Sequence, residues 1–201
     1  DAMALDGAST SIDIRAGALE QAERAEGIEI GLRVLMMGGR QACVSASDVS
    51  QATLDRLAER AVAMAREAPE DPTAGLADPS QIAKAWDLAA LELADPSAEP
   101  SAAMLEADAR AAESGAMALA GITLVQASAG YSSRRVHLAA SNGFSGAYAR
   151  TSRSVSAVAF TGQGTGMERD YAGEARVFQA DMPGALGIGQ LAGERALARG
   201  G

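Results

Sequence analysis

Ile28, Ile30, Leu32, Val34 and Met36 alternate with polar or small residues over nine positions, the clearest half-buried strand in the chain. Ile12, Ile14 and Ala16 alternate in the same way with Ser11, Asp13 and Arg15, and Gly17 marks a turn after them. Between these two patterns, Leu19 to Glu26 reads as a polar, edge-like strand. Gly38-Gly39 is a hairpin signal, because glycine accepts the positive φ that a two-residue turn demands. Ala42, Val44 and Ala46 continue the meander beyond it. The period then changes from two to that of a helix. Leu54, Leu57, Ala58, Ala61, Val62 and Ala65 fall on one face, with Ser50 as the expected N-cap and Pro69 as the stop.

Residues 69–100 hold Pro69, Pro72, Pro79, Pro96 and Pro100 of the six prolines, and this stretch reads as a linker lying across the surface, with Trp86 as its anchor. Ser101 caps a second helix, expected to run to about Ser114 with Gly115 near its end. A second strand-rich block follows, with strands expected at Ile122–Ala127, Arg134–Ala140, Phe144–Arg150 and Ser154–Thr161. Asn142-Gly143 is the hairpin signal within it. Gly162, Gly164 and Gly166 form a loop, Asp170 to Gln179 is a further candidate strand, and a last helix spans about Gly184 to Arg199. The expected class is α+β: antiparallel sheets covered by helices, in two similar strand-then-helix lobes at 1–68 and 101–201, joined by the linker at 69–100.

Composition narrows the function classes. A net charge of −9 repels nucleic-acid phosphates and anionic membrane surfaces, and Arg134-Arg135 is too small a basic patch to reverse that. No apolar run approaches the length of a membrane span. The single cysteine, Cys43, excludes an internal disulfide, and the whole profile fits a reducing cytoplasm. Aromatic residues make up only 3%, so the core must rest on Ala, Val, Leu, Ile and Met, with thin packing expected. The chain lacks an initiating Met and stops at Gly200-Gly201, which reads as a portion cut from a longer protein.

No catalytic constellation can be assembled from these residues. His137, the only histidine, lies in a strand pattern without Cys, Asp or Glu at ligand spacing, whereas zinc needs three or four ligands held together. Cys43 has no local histidine and reads as a small buried core residue. Gly162-Gln163-Gly164-Thr165-Gly166 lacks the Lys-Ser/Thr of a phosphate loop and does not open a helix. Glu168, Arg169 and Asp170 read as a salt-bridged loop exit, with peptide contact as the lesser alternative. Thus no catalytic, cofactor-binding or metal residue is expected in this chain. Thr123 to Ser132, polar and interrupted by glycine, reads as an edge strand open to three roles: accepting an extended peptide, docking another subunit, or staying solvated and protected by charge.

An ordered set of short motifs runs through nearly the whole chain. It comprises Ser11 to Arg15 with Gly17, Gly31-Leu32-Arg33-Val34, Gly39-Arg40 and Ser45-Ala46-Ser47-Asp48-Val49-Ser50. It continues with Glu70-Asp71-Pro72, Gly75-Leu76-Ala77-Asp78, Ser141-Asn142-Gly143 and Met167-Glu168-Arg169-Asp170-Tyr171. In order and spacing these resemble the PmbA/TldD family, and the last motif is closer to the PmbA (TldE) branch. The resemblance implies a cytoplasmic two-subunit zinc metallopeptidase that trims unfolded peptides. Such complexes are linked to maturation of a peptide antibiotic and to antitoxin turnover, and carry the older name modulator of DNA gyrase. It implies a TldD-type subunit whose zinc sits on a His-Glu-x-x-x-His helix, and a PmbA-type subunit without that site. The chain is accordingly expected to be the non-catalytic subunit, partnered by a TldD-type protein or by itself, with zinc only in the partner. A TldD-like catalytic subunit, or a peptide-binding adaptor associated with gyrase, are the alternatives.

Overall fold

The computed structural model describes residues 1–200, so the expectation attached to Gly201 lies outside the described residues. The class is α+β: a six-stranded sheet in the order β3-β2-β1-β4-β5-β6, with three α-helices. The strands are β1 (Ala2–Arg15), β2 (Ala18–Leu35), β3 (Gln41–Ala46), β4 (Ile122–Ala139), β5 (Ser145–Thr161) and β6 (Glu168–Arg176). The helices are α1 (Gln51–Glu67), α2 (Ala102–Met117) and α3 (Ala185–Arg199). By compactness the chain divides into two units. The first gathers Asp1–Gly7, Glu26–Leu91 and Arg134–Ala149; the second gathers Ala8–Ala25, Glu92–Ser133 and the chain from Arg150.

Strand lengths correct the sequence reading. The polar stretch from Leu19 and the apolar stretch from Ile28 form one strand, β2, and the four short strands expected between 122 and 161 are two long ones, β4 and β5. Glycine and serine runs look like strand breaks in the sequence. Inside a sheet, however, a glycine also marks close approach of neighbours. At Gly130 a Cβ would stand 3.3 Å from Ser154 Oγ and 3.5 Å from the Thr10 carbonyl oxygen.

In the first unit, Gly38 and Gly39 both take positive φ, 81° and 73°, and turn β2 into antiparallel β3. Gly39 must remain bare, because a Cβ would lie 1.7 Å from the Asp71 carbonyl oxygen. Helix α1 buries Leu57, Ala61 and Ala65, packing around Val44 with Ile30, Leu32 and Val34, while Ala58 faces solvent. Ser50 is its N-cap residue, but its hydroxyl does not cap the helix. Asp48 organises the entry instead, accepting from Thr53 Oγ1 at 2.5 Å, Ser50 N at 2.9 Å and Ser50 Oγ at 2.8 Å.

The Thr53 hydroxyl, then the Ser50 amide and hydroxyl, hold the Asp48 carboxyl down at about 2 from an ordinary 3.8. A depressed folded-state value stabilises the fold above the unfolded value and is lost as pH falls through the folded one. The entry of α1 is therefore expected to loosen as pH drops from 3.8 through about 2, with NMR titration of Asp48 giving a midpoint near the lower figure. A midpoint at the ordinary value would mean that the cluster does not form in solution.

Residues 69–91 follow α1 through Asp-Pro turns, in which Asp71 accepts from Thr73 N and Asp78 from Ser80 N, each carboxylate closing onto a backbone amide two residues on. Trp86 anchors the segment by stacking on Phe144, centroids 5.8 Å apart, above Gly146. A Cβ at Gly146 would approach Trp86 Cζ2 to 2.8 Å. The β4–β5 hairpin turns at Gly143, φ 97°, and Asn142 Nδ2 donates to the Ala77 carbonyl at 2.9 Å.

In the second unit, Ala16 and Gly17 take φ of 50° and 76°, a two-residue turn joining β1 to β2. Glu113 and Arg110 of α2 hold its tip: Gly17 N donates to Glu113 Oε1 at 2.8 Å and Arg110 Nη1 donates to Gly17 O at 3.0 Å. Ser101 caps α2 as expected, accepting from Met104 N at 3.2 Å. The helix runs through Gly115 rather than ending there, because Gly115 is a packing position: its Cβ would meet the Leu186 carbonyl oxygen at 2.2 Å. The core joins Ile12, Ile14, Leu105, Ile122, Val125, Val155 and Ile188 to a set of fully buried alanines. Such short side chains close a core only when helices approach closely, and α2 and α3 do so through Gly115, Gly189 and Gly193.

Candidate functional site

Each candidate from the sequence occupies a definite place. In the first unit, His137 lies on β4 and is exposed. Cys43 is also exposed, contrary to the buried core role expected for it. The cause is register: Ala42 and Val44 point to α1, so Cys43 between them points to the other face, opposite Arg33 of β2. Arg135 is tied to Asp6 at 2.9 Å, which removes half of the small basic pair.

In the second unit, the loop at Gly162–Gly166 joins antiparallel β5 and β6, with a single short turn of helix at Gly164–Gly166. Of the Glu168-Arg169-Asp170 set, Asp170 is held by Arg199 of α3, and Arg195 Nη1 donates to the Tyr171 carbonyl at 3.0 Å. The Arg199 hydrogen bond, then the Tyr171 amide, keep the Asp170 carboxyl below the ordinary range. The cluster thus fastens β6 to the end of α3 and does not assemble a pair of cooperating carboxylates. Thr123 to Ser132 is not an edge: it belongs to β4, which has β1 on one side and β5 on the other. The true edge positions are β3 and β6.

Among the described residues no three of His, Cys, Asp and Glu come together as a metal-holding group. No helix among the described residues is long and apolar enough to cross a membrane.

One surface stands out in the second unit. Helices α2 and α3 cover the face carrying Val155, Ala157, Ala159 and Ala172. Residues of the other parity, Ser152, Ser154 and Ser156 on β5, Gln126, Ser128 and Gly130 on β4, and Tyr171 and Gly173 on β6, form the opposite face. Ser128 Oγ is hydrogen-bonded to Asp13 there. The same face also carries Leu124 on β4 and Val158 and Phe160 on β5 beside Tyr171, so short hydroxyls sit next to larger apolar side chains. The serine stretch can hydrogen-bond to an extended chain, and the apolar stretch can contact its side chains. The sequence signal was available, as Ser at 152, 154 and 156 alternates with buried residues, but alternation alone does not say which face stays uncovered.

Comparison with known proteins places the chain in a class. PmbA/TldA metallopeptidase domain 1 matches residues 1–65, and the PmbA/TldA metallopeptidase central domain matches residues 91–199. The chain belongs to the PmbA/TldD family. Among curated proteins none matches it. Its fold is similar to that of a modulator of DNA gyrase from Bacteroides thetaiotaomicron, with a TM-score of 0.87 and 25% identity over 98% of this chain and 44% of that one. It is also similar to TldE from Thermococcus kodakarensis, with a TM-score of 0.70 and 14% identity over 98% of this chain and 44% of that one. For a modulator of DNA gyrase from Thermotoga maritima the TM-score is 0.66 and the identity 14%, over 98% and 43% of the two chains. The chain therefore spans less than half the length of these solved structures.

Proposed function

We propose that this chain is the N-terminal and central part of a non-catalytic, PmbA/TldE-like subunit of a cytoplasmic zinc metallopeptidase complex that trims unfolded peptides. The observation that carries this reading is the tandem match to both family domains, together with likeness over 98% of the chain to TldE. Residues 1–68, 69–100 and 101–201 are its successive parts: a first lobe, a connecting segment and a second lobe. Its role is to wall a substrate chamber and to contact a TldD-type subunit that holds the zinc. The serine-rich face of β4, β5 and β6 supports the wall role, because an unfolded peptide offers a constant backbone and variable side chains. The serines can meet the first, and Leu124, Val158 and Phe160 beside them can contact the second.

The test uses the full-length protein, alone and mixed with a TldD-type protein. The expected outcome is hydrolysis of an unfolded polypeptide only in the mixture, with metal analysis finding zinc only in the TldD-type subunit. Zinc and hydrolysis in the full-length protein alone would make it the catalytic subunit. Peptide binding without hydrolysis in either preparation would leave the adaptor.

A further inference from the structure

We propose that a trough in the first unit, on the sheet face turned away from α1, binds a dipeptide by its two free termini, with Glu29 taking the ammonium and Arg134 the carboxylate. This goes beyond the branch assignment and holds for either branch.

Register fixes the face. Ile30, Leu32 and Val34 pack with Val44 under α1, so Gly27, Glu29 and Gly31 of β2 point the other way. Gly31 is paired with Ser45, which brings the Ser45 hydroxyl to that same face. An open trough of about 600 Å³ crosses it, reaching from Ser45 and Ser47 past Gly27, Glu29 and Leu5 to Arg134.

The trough holds a glycine that the fold itself does not require. A glycine inside a strand weakens it, and marks an unusual backbone turn, a tight neighbour or the approach of a ligand. Gly39 of the same unit shows the first two, with φ at 73° and the Asp71 carbonyl oxygen 1.7 Å from its Cβ position. Gly27 shows neither: its φ is not left-handed, and nothing lies within 4 Å of its Cβ position. The approach of a ligand remains.

Charge selects the occupant. Asp6, at the side of the trough, is neutralised by Arg135 at 2.9 Å. Glu29 and Arg134 are exposed, and among the described residues their side chains have no hydrogen bond or ion pair. Two separated, opposite charges match a zwitterion, whereas a simple anion or cation would meet one and be repelled by the other. Strand β1 lies between β2 and β4, so Glu29 and Arg134 stand two strand spacings apart, about 10 Å. A dipeptide, about 7 Å long, covers that gap with a hydrogen bond of about 2.8 Å at each end. A single amino acid, half as long, falls short. The Arg134 fork suits a carboxylate, Ser45 and Ser47 offer hydroxyls to the one peptide group, and Leu5 offers apolar contact to a small side chain.

The experiment is calorimetric titration of Ala-Ala into the full-length protein, with saturable millimolar binding expected. N-acetyl-Ala-Ala and Ala-Ala amide each lack one terminal charge and are expected to bind about ten-fold more weakly or worse. Free alanine is expected to do the same. Arg134→Gln and Glu29→Gln are exposed changes that should leave the melting temperature in place while weakening Ala-Ala by a similar factor. Gly27→Val is expected to fill the trough and abolish binding, yet to melt no lower than the parent, because a β-branched residue suits a strand and its Cβ meets nothing. No saturable binding overturns the inference. So does equal affinity for either blocked peptide or for alanine, and so does binding that Arg134→Gln and Gly27→Val leave intact, since the site would lie elsewhere. These titrations read binding by this chain, so their failure and that of the zinc and hydrolysis test of the proposed function are separate results.

Discussion

Gly189→Val is expected to leave the chain unable to hold α2 against α3. A Cβ at Gly189 would lie 1.8 Å from the Ala112 carbonyl oxygen, 2.6 Å from its carbonyl carbon and 3.0 Å from its Cα. These are backbone atoms of a buried helix, so no side chain can swing aside, and α3 would have to move bodily. Alanine alone would suffice to test the contact. Helix propensity predicts that Gly→Ala stabilises an exposed helical site by about 1 kcal/mol, whereas overpacking here works in the opposite direction by about 3 kcal/mol or more. Packing wins, and Gly189→Ala should lower the unfolding free energy by about 2 kcal/mol, with valine worse. Gly187, two residues earlier in the same helix, has nothing within 4 Å of its Cβ position. Gly187→Ala should therefore raise stability by about 0.5 kcal/mol. Thermal melts of the two variants read opposite signs from one chemical change. Equal signs would show that the helix crossing is not as close in solution.

That contrast also explains what the sequence could reveal. Helices α1, α2 and α3 were legible because period and caps are local: Ser101 does accept from Met104 N, and Leu57, Ala61 and Ala65 do face inward. The Gly38-Gly39 and Asn142-Gly143 turns were legible for the same reason. Gly115 does lie near the end of α2, but its packing role was hidden, since a glycine that ends a helix and one that admits a neighbouring helix look alike in one dimension. The same ambiguity split β4 and β5 into four strands. Edge status was illegible altogether. Thr123 to Ser132 looks like an edge by composition, while Gln41 to Ala46 does not look exposed, yet β4 is made interior by β1, with Ser128 meeting Asp13 across 115 residues, and β3 is left terminal. Cys43 was misplaced with it. Of the candidate site, the alternation of Ser152, Ser154 and Ser156 was readable, whereas which face they occupy required knowing where α2 and α3 lie.

The second large effect lies beneath α2. Arg153 on β5 points into the core side of the sheet with its side chain only 6% exposed, and Arg153 Nη2 meets Asp108 Oδ2 at 2.6 Å. Its Nε has no hydrogen-bond partner. A buried guanidinium with one donor already unmet depends on its single carboxylate. Asp108→Ala would strand the charge, and breaking a buried pair in this way costs about 3–5 kcal/mol. Asp108 is 32% exposed, so water relieves part of the penalty and the lower end, about 3 kcal/mol, is expected. Arg153→Met should behave differently. It removes the charge and the unmet donor together and keeps the apolar stem, so stability should hold or rise by about 1 kcal/mol. The combination Asp108→Ala with Arg153→Met should then recover most of what Asp108→Ala alone loses. Chemical denaturation of the three variants closes the cycle. A double variant no better than Asp108→Ala would mean that the carboxylate serves α2 itself, and that the pair is not what holds the helix over Arg153.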